Sequence, residues 1–182
     1  MAGDNLTEQS HELLFGIRRS ARYHEHRWRF YELWTTVTVT VSLLGGILVA
    51  AVSIYFPSDP WLPAVFGGVI ALMNVTALSV GVFRKANLHA NLLSSFVQLE
   101  SRFPPGFELT EEEYNDIHRE RLVIQKTEPP VLRLLDVICH FEILRAMGYQ
   151  YEKPAISLSR RILARFLSQS HFAEALGNGS PR

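Results

Sequence analysis

Two long apolar runs dominate the hydrophobic pattern of this chain. They cover Leu33 to Phe56 and Trp61 to Phe83, and neither contains Asp, Glu, Lys or Arg. As helices that rise about 1.5 Å per residue, each is long enough to cross the ~30 Å hydrocarbon layer of a bilayer. Only the segment Pro57 to Pro60 separates them. The pattern therefore predicts a transmembrane hairpin of two helices joined by a short extracytoplasmic turn.

Two other interpretations of these runs are less consistent with the sequence. A pair of apolar helices could form the core of a soluble protein, but charge-free runs of this length are rare in that setting. The segment Thr36 to Ser42 alternates hydroxyl and valine side chains with the period of a strand. A membrane-spanning strand, however, needs a closed barrel with many partner strands, which this chain does not offer.

Basic residues near the two runs predict the orientation of the hairpin. The connecting turn contains no Lys or Arg, whereas both outer flanks do: Arg18, Arg19, Arg22, Arg27, Arg29, Arg84 and Lys85. By the positive-inside rule, both termini are expected in the cytoplasm. Aromatic residues lie at both ends of the runs, as in interfacial belts: Trp28, Tyr31 and Trp34 at the inner end, and Tyr55, Phe56 and Trp61 at the outer end.

Outside the apolar runs, two stripes at helical spacing predict a pair of packed helices. The first consists of Leu14, Ile17, Ala21, His24, Trp28 and Tyr31, and the second of Leu88, Leu92, Phe96, Leu99 and Phe103. Stripes of this spacing form a narrow apolar seam on a helix. We expect the two helices to pack antiparallel below the membrane. The seams should also support contacts between subunits, through Leu14, Ile17, His24, Trp28, Leu88, Leu92, Phe96 and Leu99.

The C-terminal part reads as further helices of a cytosolic bundle. Pro104 to Gly106 ends the second packed helix, and Thr110 to Glu113 has the pattern of a capping box that opens a helix to about Thr127. Val131 to Met147 is the next predicted helix, with Gly148 as its stop. A last amphipathic helix is expected over Ala155 to Gln169. Its basic face, Arg160, Arg161 and Arg165, either contacts lipid or another anionic ligand or is solvated on a docked helix.

The predicted fold is thus an all-α membrane protein, a transmembrane hairpin with long helical extensions and a cytosolic helical bundle. Its parts are an N-terminal cytosolic helix (1–32), two transmembrane helices (33–56 and 61–83) around a turn (57–60), a helical extension (84–103) and C-terminal helices with a tail (104–182).

No residue pattern indicates catalysis, a metal site or a cofactor, so the sequence does not predict an enzyme. His24 and His26 diverge on a helix, and Cys139 and His140 are adjacent rather than on one face, so neither pair has the spacing of a helical chelate. The chain has 18 basic and 18 acidic residues, which argues against a general nucleic-acid binder. A single cysteine excludes an internal disulfide.

The apolar runs carry small and hydroxylated residues at helical spacing. Those that could line a pore are Thr35, Thr38, Ser42, Ser53 and Asn74. Small residues let helices approach closely, and an Asn in hydrocarbon must find a partner or water. The stripe is therefore either a helix-packing face or a wet lining. Since two helices cannot enclose a pore, a channel would require a closed ring of several copies.

The stretch Ala21 to Glu32, which runs directly into a two-span hairpin, resembles the SLATT family of bacterial two-transmembrane effectors. The segments Lys126 to Leu132, Cys139 to Glu142 and Arg145 to Tyr149 look like the cytosolic part of that family. The resemblance covers about residues 10 to 150 and implies a membrane-perturbing or pore-forming effector of bacterial conflict and antiphage systems. It also implies a nucleotide-second-messenger synthase or sensor as a partner, and no catalytic residues.

The functional expectation is therefore a homo-oligomeric pore in the bacterial inner membrane, which opens on a signal from a partner or a nucleotide. The alternative is a non-conducting membrane anchor or scaffold that recruits soluble partners. The expected partners are the lipid bilayer and further copies of the chain, with no nucleic acid.

Overall fold

A computed structural model describes residues 2–106 and 109–149, and this part of the chain contains five α-helices and no strand. The helices are α1 (Ala2–Tyr55), α2 (Trp61–Val80), α3 (Val82–Glu100), α4 (Glu111–Gln125) and α5 (Arg133–Ala146). The prediction of an all-helical chain is confirmed for these residues. The predicted helix over 155–169, with Arg160, Arg161 and Arg165, lies outside the described residues.

Two of the helices, α1 and α2, are long and apolar enough to cross a membrane. In their most apolar stretches, only 6% of the residues of α1 and none of those of α2 are buried. Large apolar side chains such as Leu44, Ile47 and Leu72 are exposed instead. A core helix of a soluble protein would bury most of such a stretch, so these two helices present their apolar surface outward.

The second apolar helix is shorter than the sequence predicts. We expected it to continue through Phe83 into the following segment, but α2 ends at Val80 and α3 begins at Val82. Gly81 caps α2 in the left-handed conformation (φ 66°, ψ 42°), and its amide N–H donates to the carbonyls of Ala77 and Leu78. Glycine adopts this conformation without the steric cost that a Cβ would add, so it ends the helix.

Residues 28–88 form one compact unit, the hairpin unit. At one end, Tyr31, Val82 and Ala86 make a small buried cluster, against which Trp28 and Trp34 pack. The Lys85 ammonium lies 6.0 Å from the centroid of the Tyr31 ring, a cation–π geometry. The predicted inner aromatic residues therefore pack around the segment in which α2 gives way to α3.

Residues 2–27 belong to a second unit, the polar unit, together with residues 89–106 and 109–149, and this described part is largely helical. Its main core contains buried apolar residues from α1, α3, α4 and the segment before α4: Leu13, Ile17, Ala21, Phe96, Leu99, Leu109 and Ile117. His24 contacts His89, and Arg18 contacts Glu100. Residue numbers rise along α1 as they fall along α3, so the two segments pack antiparallel.

Helices α4 and α5 begin and end close to the predicted positions. Thr110 forms the capping box with Glu113: the Thr110 hydroxyl accepts from the Glu113 amide at 3.3 Å, and the Glu113 carboxylate accepts from the Thr110 amide at 2.9 Å. These bonds satisfy amides that a helix start leaves open. Helix α4 ends at Gln125, two residues before the predicted Thr127, and Gly148 (φ +89°) follows the end of α5.

Candidate functional site

The hairpin unit has a polar contact between its two apolar helices. Asn74 of α2 donates through Nδ2 to the hydroxyl of Ser42 on α1 at 2.8 Å and to the carbonyl of Ile70 at 2.8 Å. The Ser42 hydroxyl donates in turn to the carbonyl of Thr38 at 2.7 Å. The only Asn of the apolar runs thus has hydrogen-bond partners inside the chain.

A glycine lets the two helices approach at this contact. A Cβ built at Gly45 would lie 2.4 Å from Cδ1 of Ile70, which is closer than real Cβ contacts. Gly45 follows Ser42 by three residues, and Ile70 precedes Asn74 by four. Residues at these spacings share a helix face, so the close approach and the hydrogen bond lie on the same face of each helix. This face joins the helices through small residues and the hydrogen bond from Asn74 to Ser42.

Thr38 lies on the same face and is the exception in its hydrogen bonding. Its side chain is 7% exposed, and its hydroxyl has no hydrogen-bond partner among the described residues. The hydroxyls of Thr35, Ser53 and Thr76 each donate to the carbonyl four residues earlier, at 2.8 to 3.0 Å. A buried hydroxyl without a partner costs free energy, so Thr38 is a locally unfavourable choice in the folded chain.

The five candidate pore residues therefore occupy different environments. Thr38, Ser42 and Asn74 face the partner helix of the same chain, whereas Ser53 is exposed and Thr35 is partly buried. In the single chain, the placement of Ser42 and Asn74 is that of a helix-packing face.

The polar unit contains a buried chain of polar side chains. Nδ1 of His24 lies 2.9 Å from Nδ1 of His89, and Nε2 of His24 lies 3.0 Å from a carboxylate oxygen of Glu128. An ionised carboxylate only accepts, so Nε2 of His24 carries a hydrogen. Of the two facing Nδ1 atoms, one donates and the other accepts. Phe96 stacks on the His24 ring, with centroids 5.7 Å apart.

A second polar network joins α1 to α5. Glu142 accepts from Arg22 at 2.8 Å and from His26 at 3.0 Å. Burial raises the pKa of Glu142, but the hydrogen bonds from His26 and Arg22 outweigh burial and hold the pKa below its usual value. The neighbouring thiol of Cys139 is fully buried with Tyr23 and Leu135, and burial raises its pKa to about 12. Cys139 is thus a protonated packing residue without nucleophilic character.

The residues of the two predicted seams are not equally buried. Leu14, Ile17, His24, Leu92, Phe96 and Leu99 are buried, Trp28 is partly buried in the hairpin unit, and Leu88 is 37% exposed. His24 and His26 reach different carboxylates, Glu128 and Glu142. Among residues 2–106 and 109–149, no group of three or more His, Cys, Asp or Glu side chains is arranged to hold a metal ion.

Sequence reasoning missed the partners of these histidines. His89, Glu128 and Glu142 lie 65, 104 and 116 residues along the chain from the histidines that they contact. His89 follows Leu88 directly and stands three residues before Leu92, so it lies on the same side of α3 as the seam. The position of His89 beside the seam was the one signal that the sequence offered. Nothing in the sequence pointed to Glu128 or Glu142 as partners of the histidines.

No protein-family model matches the chain, and no curated protein or solved structure is significantly similar to it.

Proposed function

We propose that this protein is a membrane-embedded, homo-oligomeric effector that forms a pore in the bacterial inner membrane, with both termini in the cytoplasm. The observation that carries the proposal is the outward-facing apolar surface of α1 and α2. Lipid and neighbouring copies would cover this surface, which no other part of the described chain does. The resemblance to SLATT effectors supplies the antiphage role and the activating signal, from a nucleotide or a partner.

The polar contact between the spans supports a closed resting state. Asn74 and Ser42 bond to each other within one chain, so neither is free to hold water in a lumen. On activation, rotation of the spans within the ring would turn these groups toward a shared axis and open a wet path. The energy at stake is small, because an interhelical hydrogen bond in a membrane contributes about 0.6 kcal/mol. Such a contact can be exchanged for water at low cost.

The second candidate, a non-conducting membrane anchor, is favoured by the same contact. If Asn74 and Ser42 only pack the two helices, the hairpin is a stable anchor and the polar unit carries the function by recruiting soluble partners.

Conductance measurements separate the two candidates. We expect the wild-type protein in planar bilayers to conduct, and Asn74→Leu to reduce the unitary conductance while the protein still inserts, since leucine has similar volume but no hydrogen-bonding group. Thr76→Val is the matched control: it removes a hydroxyl from the exposed side of α2, where the hydroxyl bonds only to the carbonyl of Leu72.

A packing role predicts a different result for the same variants. Asn74→Leu should then lower the stability of the hairpin by about 0.6 kcal/mol and leave ion flow unchanged. A wild-type protein that neither conducts in bilayers nor depolarises cells alongside its genomic neighbours and their stimulus contradicts the pore and supports the anchor.

A further inference from the structure

A cavity of about 520 Å³ lies in the polar unit, between α1, α4 and α5. Part of its lining is aromatic and apolar: Phe15 and His140 meet edge to face with centroids 5.1 Å apart, and Leu144 and Tyr149 also line the cavity. Arg19 and Arg121 also line the cavity. The volume suits a small organic molecule.

Arg121 is the unusual residue of this cavity. Its Nε is buried without a hydrogen-bond partner, and it forms no ion pair with any of the described residues. Burial, and then the positive charge of Arg19, lower the pKa of Arg121. Partly buried charges are normally paired, because an unpaired one loses hydration without compensation. The other arginines of α1 that line or flank this region have carboxylate partners: Arg18 bonds Glu100, Arg19 bonds Asp136 and Arg22 bonds Glu142.

A glycine provides the space for this guanidinium. A Cβ built at Gly16 of α1 would lie 2.6 Å from Nη2 of Arg121 and 2.9 Å from its Cζ. Any other residue at position 16 would displace the guanidinium from the helix surface. Glycine in the middle of a helix is less favourable than alanine, so the helix gives up stability where the arginine is seated.

Two carboxylates also line the cavity and restrict the ligand further. Glu8 and Glu12 of α1 face the same cavity, so a ligand covered with negative charge would be repelled from one side. A suitable molecule has one acid group, which pairs with an arginine of the cavity, and one or more hydrogen-bond donors, which pair with the glutamates. The aromatic wall adds a place for a flat ring.

We propose that this cavity binds a small aromatic anion, whose carboxylate or phosphate pairs with Arg121 and whose ring rests on Phe15, His140 and Tyr149. Arg121 is the selecting residue, because a planar guanidinium offers paired donors that match both acid groups. Arg19 adds positive charge, although Asp136 at 3.3 Å partly neutralises it. The inference concerns binding to the polar unit and is independent of whether the hairpin conducts.

The test is direct binding to the full-length protein in nanodiscs, measured by isothermal titration calorimetry. The probes are phenyl phosphate, benzoate, phenol and inorganic phosphate. We expect saturable binding of phenyl phosphate or benzoate, with phenol and inorganic phosphate each at least tenfold weaker. Preference for one of the two aromatic acids identifies phosphate or carboxylate as the natural acid group.

Variants establish whether Arg121 is responsible. Arg121→Met keeps much of the side-chain volume without the charge and should weaken the preferred aromatic acid at least tenfold, while Arg121→Lys keeps part of the affinity. Gly16→Ala should also weaken binding, because it displaces the guanidinium. Arg102→Met is the matched control: Arg102 pairs with Glu120 on the surface of the same unit and does not line the cavity.

Hydrogen exchange of each variant verifies that the polar unit is folded. The proposal is overturned if no aromatic acid binds the folded wild-type protein, if phenol binds as tightly as phenyl phosphate and benzoate, or if folded Arg121→Met binds like Arg102→Met.

Discussion

The hairpin unit and the polar unit differ in how far they bury their apolar side chains. In the polar unit, apolar residues of α1, α3 and α4 are buried against each other, and charged residues pair across the helices. In the hairpin unit, many large apolar residues are exposed, and a side-chain hydrogen bond from Asn74 to Ser42 joins α2 to α1. The first is stabilised by water exclusion from its own core, whereas the second leaves its apolar surface exposed.

The largest effect is expected from a cavity in the core of the polar unit. Phe96 is fully buried and touches both the main cluster and the His24 ring. Phe96→Ala should lower the free energy of unfolding of this unit by about 3–5 kcal/mol, because it removes apolar contacts and leaves a void. Hydrogen exchange of α1 and α3 amides measures the loss. Val97→Ala, at the next and 50% exposed position, should change it by less than about 0.5 kcal/mol.

The next largest effect tests whether the surroundings of the two units differ. Leu44 in the hairpin unit is 64% exposed and Val97 in the polar unit is 50% exposed, so neither is a core residue. If lipid covers Leu44, then Leu44→Arg should raise the free energy of membrane insertion by about 2.5–3.5 kcal/mol. Val97→Arg should have almost no effect. A glycosylation-based insertion assay measures both, and equal tolerance of arginine at the two positions would contradict a membrane-spanning hairpin.

The smallest effect is a pH dependence confined to the polar unit. Burial, and then Arg19, lower the pKa of His140, and hydrogen bonds from His26 and Arg22 lower that of Glu142 against the effect of burial. On acidification, the unfolded chain therefore binds more protons than the folded chain. The free energy of unfolding of the polar unit consequently decreases as the pH is lowered. The loss should begin near the ordinary histidine value of 6.5 and continue below the ordinary glutamate value of 4.5.

Two variants assign the two parts of this pH dependence. His140→Gln should flatten the upper part and Glu142→Gln the lower part of a plot of unfolding free energy against pH. Stability of the polar unit that rises on acidification would contradict both assignments.

The sequence by itself determined the helical elements, because their signals are local. These signals are the charge-free runs, the stripes at helical spacing, the capping box at Thr110 and the glycine after α5. Each depends on residues that are close together in the chain. The end of α2 at Gly81 was missed because a glycine inside an apolar run is also typical of helix packing in membranes. The left-handed backbone conformation of Gly81 shows that this glycine ends the helix, which the composition of the run does not reveal.

The tertiary structure alone decided which polar groups meet. Asn74 was recognisable from sequence as a group that needs a partner, but its bond to Ser42 depends on the register between two helices. The bonds of His24 to His89 and Glu128 and the unpaired state of Arg121 against Gly16 depend on segments far apart in the chain. Periodicity specifies which side of a helix is buried, whereas only the packed arrangement specifies what each buried polar atom faces, because side-chain hydrogen bonds and ion pairs require contact within about 3 to 4 Å.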